Sequence, residues 1–253
     1  MLSEFQKAFF ILVPMVNKKS NKASFKSVFN KIISFIKRAM LWFFAMSILW
    51  VLVYKFLNPP ITFLMVERGF ERKADGKSWK LSKEWKDFDE ISYNLKKAAL
   101  AGEDARFMTH YGFDFDAIEK AFLKNQKGKK MRGGSTISQQ TAKNVFLWPG
   151  RSYIRKGFEA YFTFLIELFW SKQRILEVYL NVIEMGDGIY GVEKASQTFF
   201  NKSSDSLTKG QAALIIAVLP NPIRWSPAKP TAYIYRRQSL ILRNMRNLGK
   251  LDF

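Results

Sequence analysis

Nineteen consecutive residues, Ala39 to Leu57, carry a single charge, Lys55, and this run constrains the chain more than any other feature. As a helix rising about 1.5 Å per residue, it comes close to the roughly 30 Å hydrocarbon core of a bilayer. Trp42, Trp50 and Tyr54 suit interfacial or lipid-facing positions, Lys55 can snorkel, and Pro59-Pro60 ends the helix. Two other readings compete with a membrane span. A cleaved signal peptide would be shorter and would be followed by a small-x-small cleavage site, which is missing. A core helix of a soluble protein would have a polar face, whereas here nearly every face is apolar. The block before the run settles orientation: residues 1–38 hold eight basic residues against Glu4 alone, a net +7. The positive-inside rule then places residues 1–38 in the cytoplasm and everything after Leu57 across the membrane. The expected organisation is a basic arm at 1–38, a transmembrane helix at 39–57, a juxtamembrane linker at 58–84 and a globular domain at 85–253.

The whole chain has 41 Lys and Arg against 21 Asp and Glu, a net charge of +20, so its partners should be anionic. It has no cysteine and one histidine, His110. That excludes disulfides, a thiol nucleophile and Cys- or multi-His metal sites, and makes a Ser-His-Asp triad a poor fit. Beyond Gly69 the periodicity is helical. Ser92 starts a helix with the apolar stripe Leu95, Ala98, Ala99 and Gly102. Asp114 or Asp116 caps a second, with Ile118, Ala121 and Phe122 expected to face inward. Thr136 with Gln139, and Thr208 with Gln211, are capping boxes. A long helix from Ser152 carries Phe158, Phe162, Leu165, Ile166 and Phe169 on one stripe. The next carries Ile175, Val178, Val182 and Ile183, and Gly186-Asp187-Gly188 ends it. A basic helix runs from about Thr231 to Leu248. No run of alternating strands and no repeat appears, so the expected fold is mainly α.

Three segments stand apart from ordinary amphipathic helices. In AGEDARFMTHYGFD, residues 101–114, Glu103 falls in register with Ala99 and Leu95 and so points with the apolar stripe. An inward carboxylate acquires a raised pKa suited to general acid or base work. The alternative is that Glu103 caps the helix end or pairs with Arg106. His110 reads as a structural hydrogen-bonder. In GGSTISQQTAKN, 133–144, the double Gly admits a close ligand approach, and Ser135, Gln139 and Lys143 recur every four residues; a solvated surface would look the same. It is not a Walker loop. In RSYIRKGFEA, 151–160, Arg151, Arg155 and Glu159 recur every four residues beside Lys156. A base preceding an acid is the weaker order for helix support, so the cluster suits a bound pyrophosphate or phosphate better than a solvated charged face.

These residues, with RKGFEAYFT, KQRILEVYLNVIEMGDGIYGVEKAS and LIIAVLPNPIRWSP, resemble in order and spacing the five motifs of the peptidoglycan glycosyltransferases. That is the family of the polymerising module of class A penicillin-binding proteins. The resemblance covers roughly residues 85–230 and is closest to the monofunctional, membrane-anchored form. It implies a lysozyme-like, two-lobed helical fold that elongates glycan strands from lipid II, with the growing strand as donor on its polyprenyl diphosphate. It implies Glu103 as general base and Glu159 as the second catalytic carboxylate, acting on the diphosphate side directly or through a metal. Lys143, Arg151, Arg155 and Lys156 fall on diphosphate-binding positions. Ser135, Gln139 and Gln140 fall on the polar donor-site lining, and Asn221 on a weaker position in the last motif. No cofactor is firmly implied; a divalent cation, Mg or Mn, at the diphosphate is an option the resemblance leaves open. The implied partners are the membrane and a separate transpeptidase, not nucleic acid, and the implied location is the inner membrane facing the periplasm, with sensitivity to moenomycin. One departure is Gly102, where Ala is expected before Glu-Asp, and it should loosen that helix end. A Ser-x-x-Lys at Ser34–Lys37 lies in the basic arm with no Lys-Thr-Gly to match it and is a chance match.

Two rival functions remain at this stage. A peptidoglycan-cleaving lysozyme or lytic enzyme needs the carboxylates but not the cationic cluster. A membrane-anchored binder of nucleic acid or anionic lipid would use the net charge, but its basic residues should form one stripe rather than fall within separate motifs.

Overall fold

The computed structural model describes residues 18–126, 134–150 and 152–252. They are mainly helical and divide into two compact units, residues 1–50 and 51–253. The first helix, α1 (Lys18–Phe56), contains a 30-residue stretch, 27–56, long and apolar enough to cross a membrane. Side chains such as Leu41 and Trp42 face outward instead of into a protein core. The helix therefore begins well before the apolar run, within the basic arm.

Serine and threonine caps punctuate the larger unit, each accepting a hydrogen bond from a backbone N–H that the helix start leaves free. Thr62 opens α2 (Phe63–Ala74) and Ser92 opens α3 (Tyr93–Glu103). Asp114 takes the Ala117 N–H at the start of α4 (Phe115–Gln126). Thr136 with Gln139 closes a capping box on α5 (Ile137–Phe146). Ser152 opens α6 (Tyr153–Phe169), and Ser171 opens α7 (Lys172–Val182). After α8 (Val192–Phe200), the Thr208–Gln211 box opens α9 (Lys209–Val218), and Thr231 opens α10 (Ala232–Asn247). In α7 the expected stripe of Ile175, Val178 and Val182 is buried, as are Phe162, Leu165 and Ile166 of α6.

Two expectations are corrected. Ile118 of α4 is 40% exposed rather than inward, while the side chains of Ala121 and Phe122 lie outside the description. A small sheet joins β1 (Ser82–Lys83), parallel to β3 (Ile189–Tyr190), with β2 (Glu184–Gly186) antiparallel on the other side. Strands of two or three residues are too short to register as alternation. Gly186-Asp187-Gly188, expected to end a helix, instead turns β2 into β3, and Gly188 adopts φ +69° there.

Packing sorts the helices of this unit into two clusters, α3 with α9 and α10, and α5 with α6 and α7. The first closes tightly at Gly102. A Cβ there would lie 2.6 Å from Ile216 Cγ2 and 3.3 Å from Ile241 Cδ1, well inside normal contact. Gly102 thus lets α3 approach α9 and does not loosen the helix end. The start of the unit is held from the other side. Arg174 of α7 donates to the carbonyls of Tyr54 (3.0 Å) and Leu57 (2.8 Å) and to Asn58 Oδ1 (3.0 Å), while Trp170 Nε1 donates to Val51 O (2.8 Å). The bonds to Tyr54 O and Leu57 O satisfy carbonyls that the end of α1 would otherwise leave open.

Candidate active site

Glu103 ends α3, and Asp104 immediately turns the chain toward α5. The Asp104 carboxylate is buried. It faces His110 Nε2 through both oxygens at 3.0 Å and accepts the Ile137 N–H at 3.0 Å, which caps α5. His110 is thus a structural partner. Its carbonyl accepts from Lys172 Nζ at 2.6 Å, and Lys172 also pairs with Glu167 at 2.7 Å, which takes the Ser138 hydroxyl. This buried polar lattice fixes the loop after Glu103 against α5, α6 and α7. Asp104, Glu167 and Lys172 were not singled out from the sequence, and the Glu-Asp adjacency was the available signal.

Glu103 itself does not pair with Arg106, which instead binds Asp114 and Asp116. Its Oε2 accepts from Gln140 Nε2 at 3.1 Å, and Gln140 Oε1 accepts from the Tyr179 hydroxyl at 3.4 Å. Burial pushes the Glu103 carboxyl above its ordinary range; the Gln140 bond, Arg237 and Lys143 oppose the shift, and Asp104 adds to it. Arg237 of α10 is anchored by its Nε to Ala217 O at 2.9 Å. Lying 134 positions from Glu103, it carried no local signal.

Glu159 of α6 is 3% exposed, which excludes a solvated charged face. Its Oε2 accepts from Arg155 Nη1 at 3.1 Å, and its Oε1 from Lys156 Nζ. Lys156 also reaches the exposed Ser135 hydroxyl at 3.5 Å. Burial lowers the proton affinity of Lys143; Arg155 and Lys156 push the same way, while Glu159 and Glu103 pull back. Lys143 is therefore coupled to both carboxylates. Arg155 Nε is buried with no hydrogen-bond partner, a donor facing no acceptor of the protein.

The remaining expected residues fall as follows. Gln139 is buried, its Oε1 accepting the Thr136 N–H at 3.0 Å, so the capping box holds it. Gln140 turns to Glu103 rather than to an open lining. Asn221 sits in the turn after α9, where its N–H donates to Val218 O and its carbonyl accepts from Arg224 and Trp225. The hydrogen bonds described there do not reach either carboxylate. Arg151 lies outside the described residues. Among the described residues no three His, Asp or Glu side chains are grouped to hold a metal, and both Glu159 oxygens already face cations. The described side chains therefore do not form a ready cage for a divalent ion.

A half-buried carboxylate of raised proton affinity, with a half-buried lysine and a second carboxylate held under two cations, is the kind of group set that acid–base chemistry on an anionic substrate uses. The transglycosylase family model matches residues 73–246. The chain is 54% identical over 222 residues to a biosynthetic peptidoglycan transglycosylase of Bacteroides thetaiotaomicron, covering 87% of this chain and 89% of that one. Proteins with the same description from Pseudomonas fluorescens (51% over 216 residues, 85% and 90% covered) and Pseudomonas syringae pv. tomato (52% over 214 residues, 85% and 91% covered) are also similar. The chain belongs to the transglycosylase family and is a glycosyltransferase.

Proposed function

We propose that this enzyme polymerises lipid II into β-1,4-linked glycan strands for the bacterial cell wall, releasing polyprenyl diphosphate. The observation that carries this reading is the contrast between two carboxylates, Glu103 bonded among the described residues only to the neutral Gln140 amide and Glu159 tied to Arg155 and Lys156, with Lys143 feeling the charge of both. Glu103 accepts the proton of the acceptor GlcNAc 4-hydroxyl as its oxygen attacks C1 of the donor MurNAc. The C1–O bond to the diphosphate breaks with inversion, and the bonding electrons leave with the polyprenyl diphosphate. Lys143, Arg155 and Lys156 stabilise the charge that develops on that leaving group, and the unpaired Arg155 Nε supplies a further donor to it. Glu159 holds those two cations in place. Ser135, beside Lys156, contributes a hydroxyl to the donor side, and Arg151 belongs to the same cluster by resemblance. A Mg or Mn ion at the diphosphate would add charge neutralisation to that supplied by Lys143, Arg155 and Lys156.

The long apolar helix anchors the enzyme, and the basic residues before it favour a cytoplasmic N-terminus and a periplasmic catalytic unit at the inner membrane. A transpeptidase acting on the same strands is the partner this product calls for. Incubation of the purified full chain with labelled lipid II tests the reading; the expected result is glycan chains whose formation moenomycin blocks. Shortening of preformed strands with lipid II left intact would instead place the chain among lysozyme-like enzymes.

A further inference from the structure

Tyr179 is fully buried, and its hydroxyl is joined to Glu103 through one side chain, the Gln140 amide. Burial raises the phenol well above its ordinary range, so the group stays a neutral O–H, and here it donates to Gln140 Oε1. An amide side chain has two ends of nearly equal shape and opposite polarity. With Oε1 engaged by Tyr179 at 3.4 Å, the Nε2 end is the one presented to Glu103 at 3.1 Å. Turned the other way, Gln140 would set a carbonyl oxygen against the carboxylate.

We propose that Tyr179 is a positioning residue for Glu103, acting through Gln140: its hydroxyl anchors the amide whose Nε2 donates to the carboxylate. This deepens the glycosyltransferase reading and rests on Glu103 being its base. The charged and titratable groups that face Glu103 are Lys143 of α5, Arg237 of α10, Asp104 beside it and Tyr179 of α7; Gln140 is the neutral link among them. Tyr179 therefore steadies the bond that opposes the effect of burial on Glu103, while the phosphate-side cations are untouched.

The test uses the full chain in detergent with 13C-labelled glutamate and two variants, Tyr179→Phe and Gln140→Leu. In Tyr179→Phe the Glu103 carboxyl should titrate at higher pH than in the parent, because the donor facing it is no longer enforced. Turnover of lipid II should fall roughly fivefold to tenfold near pH 6, recover partly near pH 8, and leave KM unchanged. The double variant should be no worse than Gln140→Leu alone, since the tyrosine acts through the amide. A pH-independent loss with Glu103 titrating as in the parent, or losses that multiply in the double variant, would overturn the proposal. If Tyr179→Phe does not fold, difluorotyrosine introduced at 179 keeps the shape and strengthens the donor, and the titration should then move to lower pH; no movement overturns the proposal equally. Because the titration is read without substrate, failure of lipid II polymerisation would leave this outcome separately visible.

Discussion

At the scale of single residues, Glu103 is both the group that would do the chemistry and a stability cost. Its pKa is raised in the folded state, mainly by burial. The stability associated with its proton is fully present below the ordinary carboxylate range and is lost as pH rises through the higher folded value. Glu103→Gln should therefore melt at higher temperature than the parent at pH 8, with the difference vanishing near pH 4, in paired thermal melts. The same variant should lose about 10³-fold in kcat for lipid II while still binding it. The acid limb of the parent's pH–rate profile should lie above the ordinary carboxylate range. Arg155→Ala strips Glu159 of one of its two cations and removes a donor from the leaving-group side, and should cost about 10²-fold in turnover. Parent-like kinetics would remove Arg155 from the site.

Elements set these residues in place through contacts that local sequence expresses unevenly. Helix starts were legible because a capping side chain and the N–H it serves lie within three positions, as at Thr136 and Thr208. The inward Glu103 was legible for the same reason, since one helix carries both the stripe and the acid. The partners of Glu103 were not, because Gln140, Tyr179 and Arg237 come from three other helices and meet it only when the two clusters assemble. Gly102 shows the limit most plainly: read locally it weakens a helix end, but in three dimensions it is the only residue type small enough for Ile216 to pack against. Gly102→Ala should therefore destabilise by about 1–3 kcal/mol in chemical denaturation despite the better helix propensity of alanine. Asp104 joins α3, His110 and the start of α5, so Asp104→Ala should cost about 3 kcal/mol and leave the Ile137 N–H without its cap.

For the whole molecule, the +20 charge resolves into parts with different work. The N-terminal arm holds a net +7, and two of the rest, Arg155 and Lys156, hold one carboxylate. Arg174 does something else again, joining residues 54–58 to the body of the catalytic unit. Arg174→Ala should cost on the order of 2 kcal/mol and speed proteolytic cleavage near Pro59-Pro60, read by limited digestion, with little change in chemistry once substrate is bound. Finally, the seam at Gly102 has an evolutionary consequence. A methyl group added at position 102 has nowhere to go unless one is withdrawn at 216, so the two sites share a single fixed volume. Across related proteins they should change together: Ala at 102 ought to appear with a small residue at 216, and Ile at 216 only with Gly at 102.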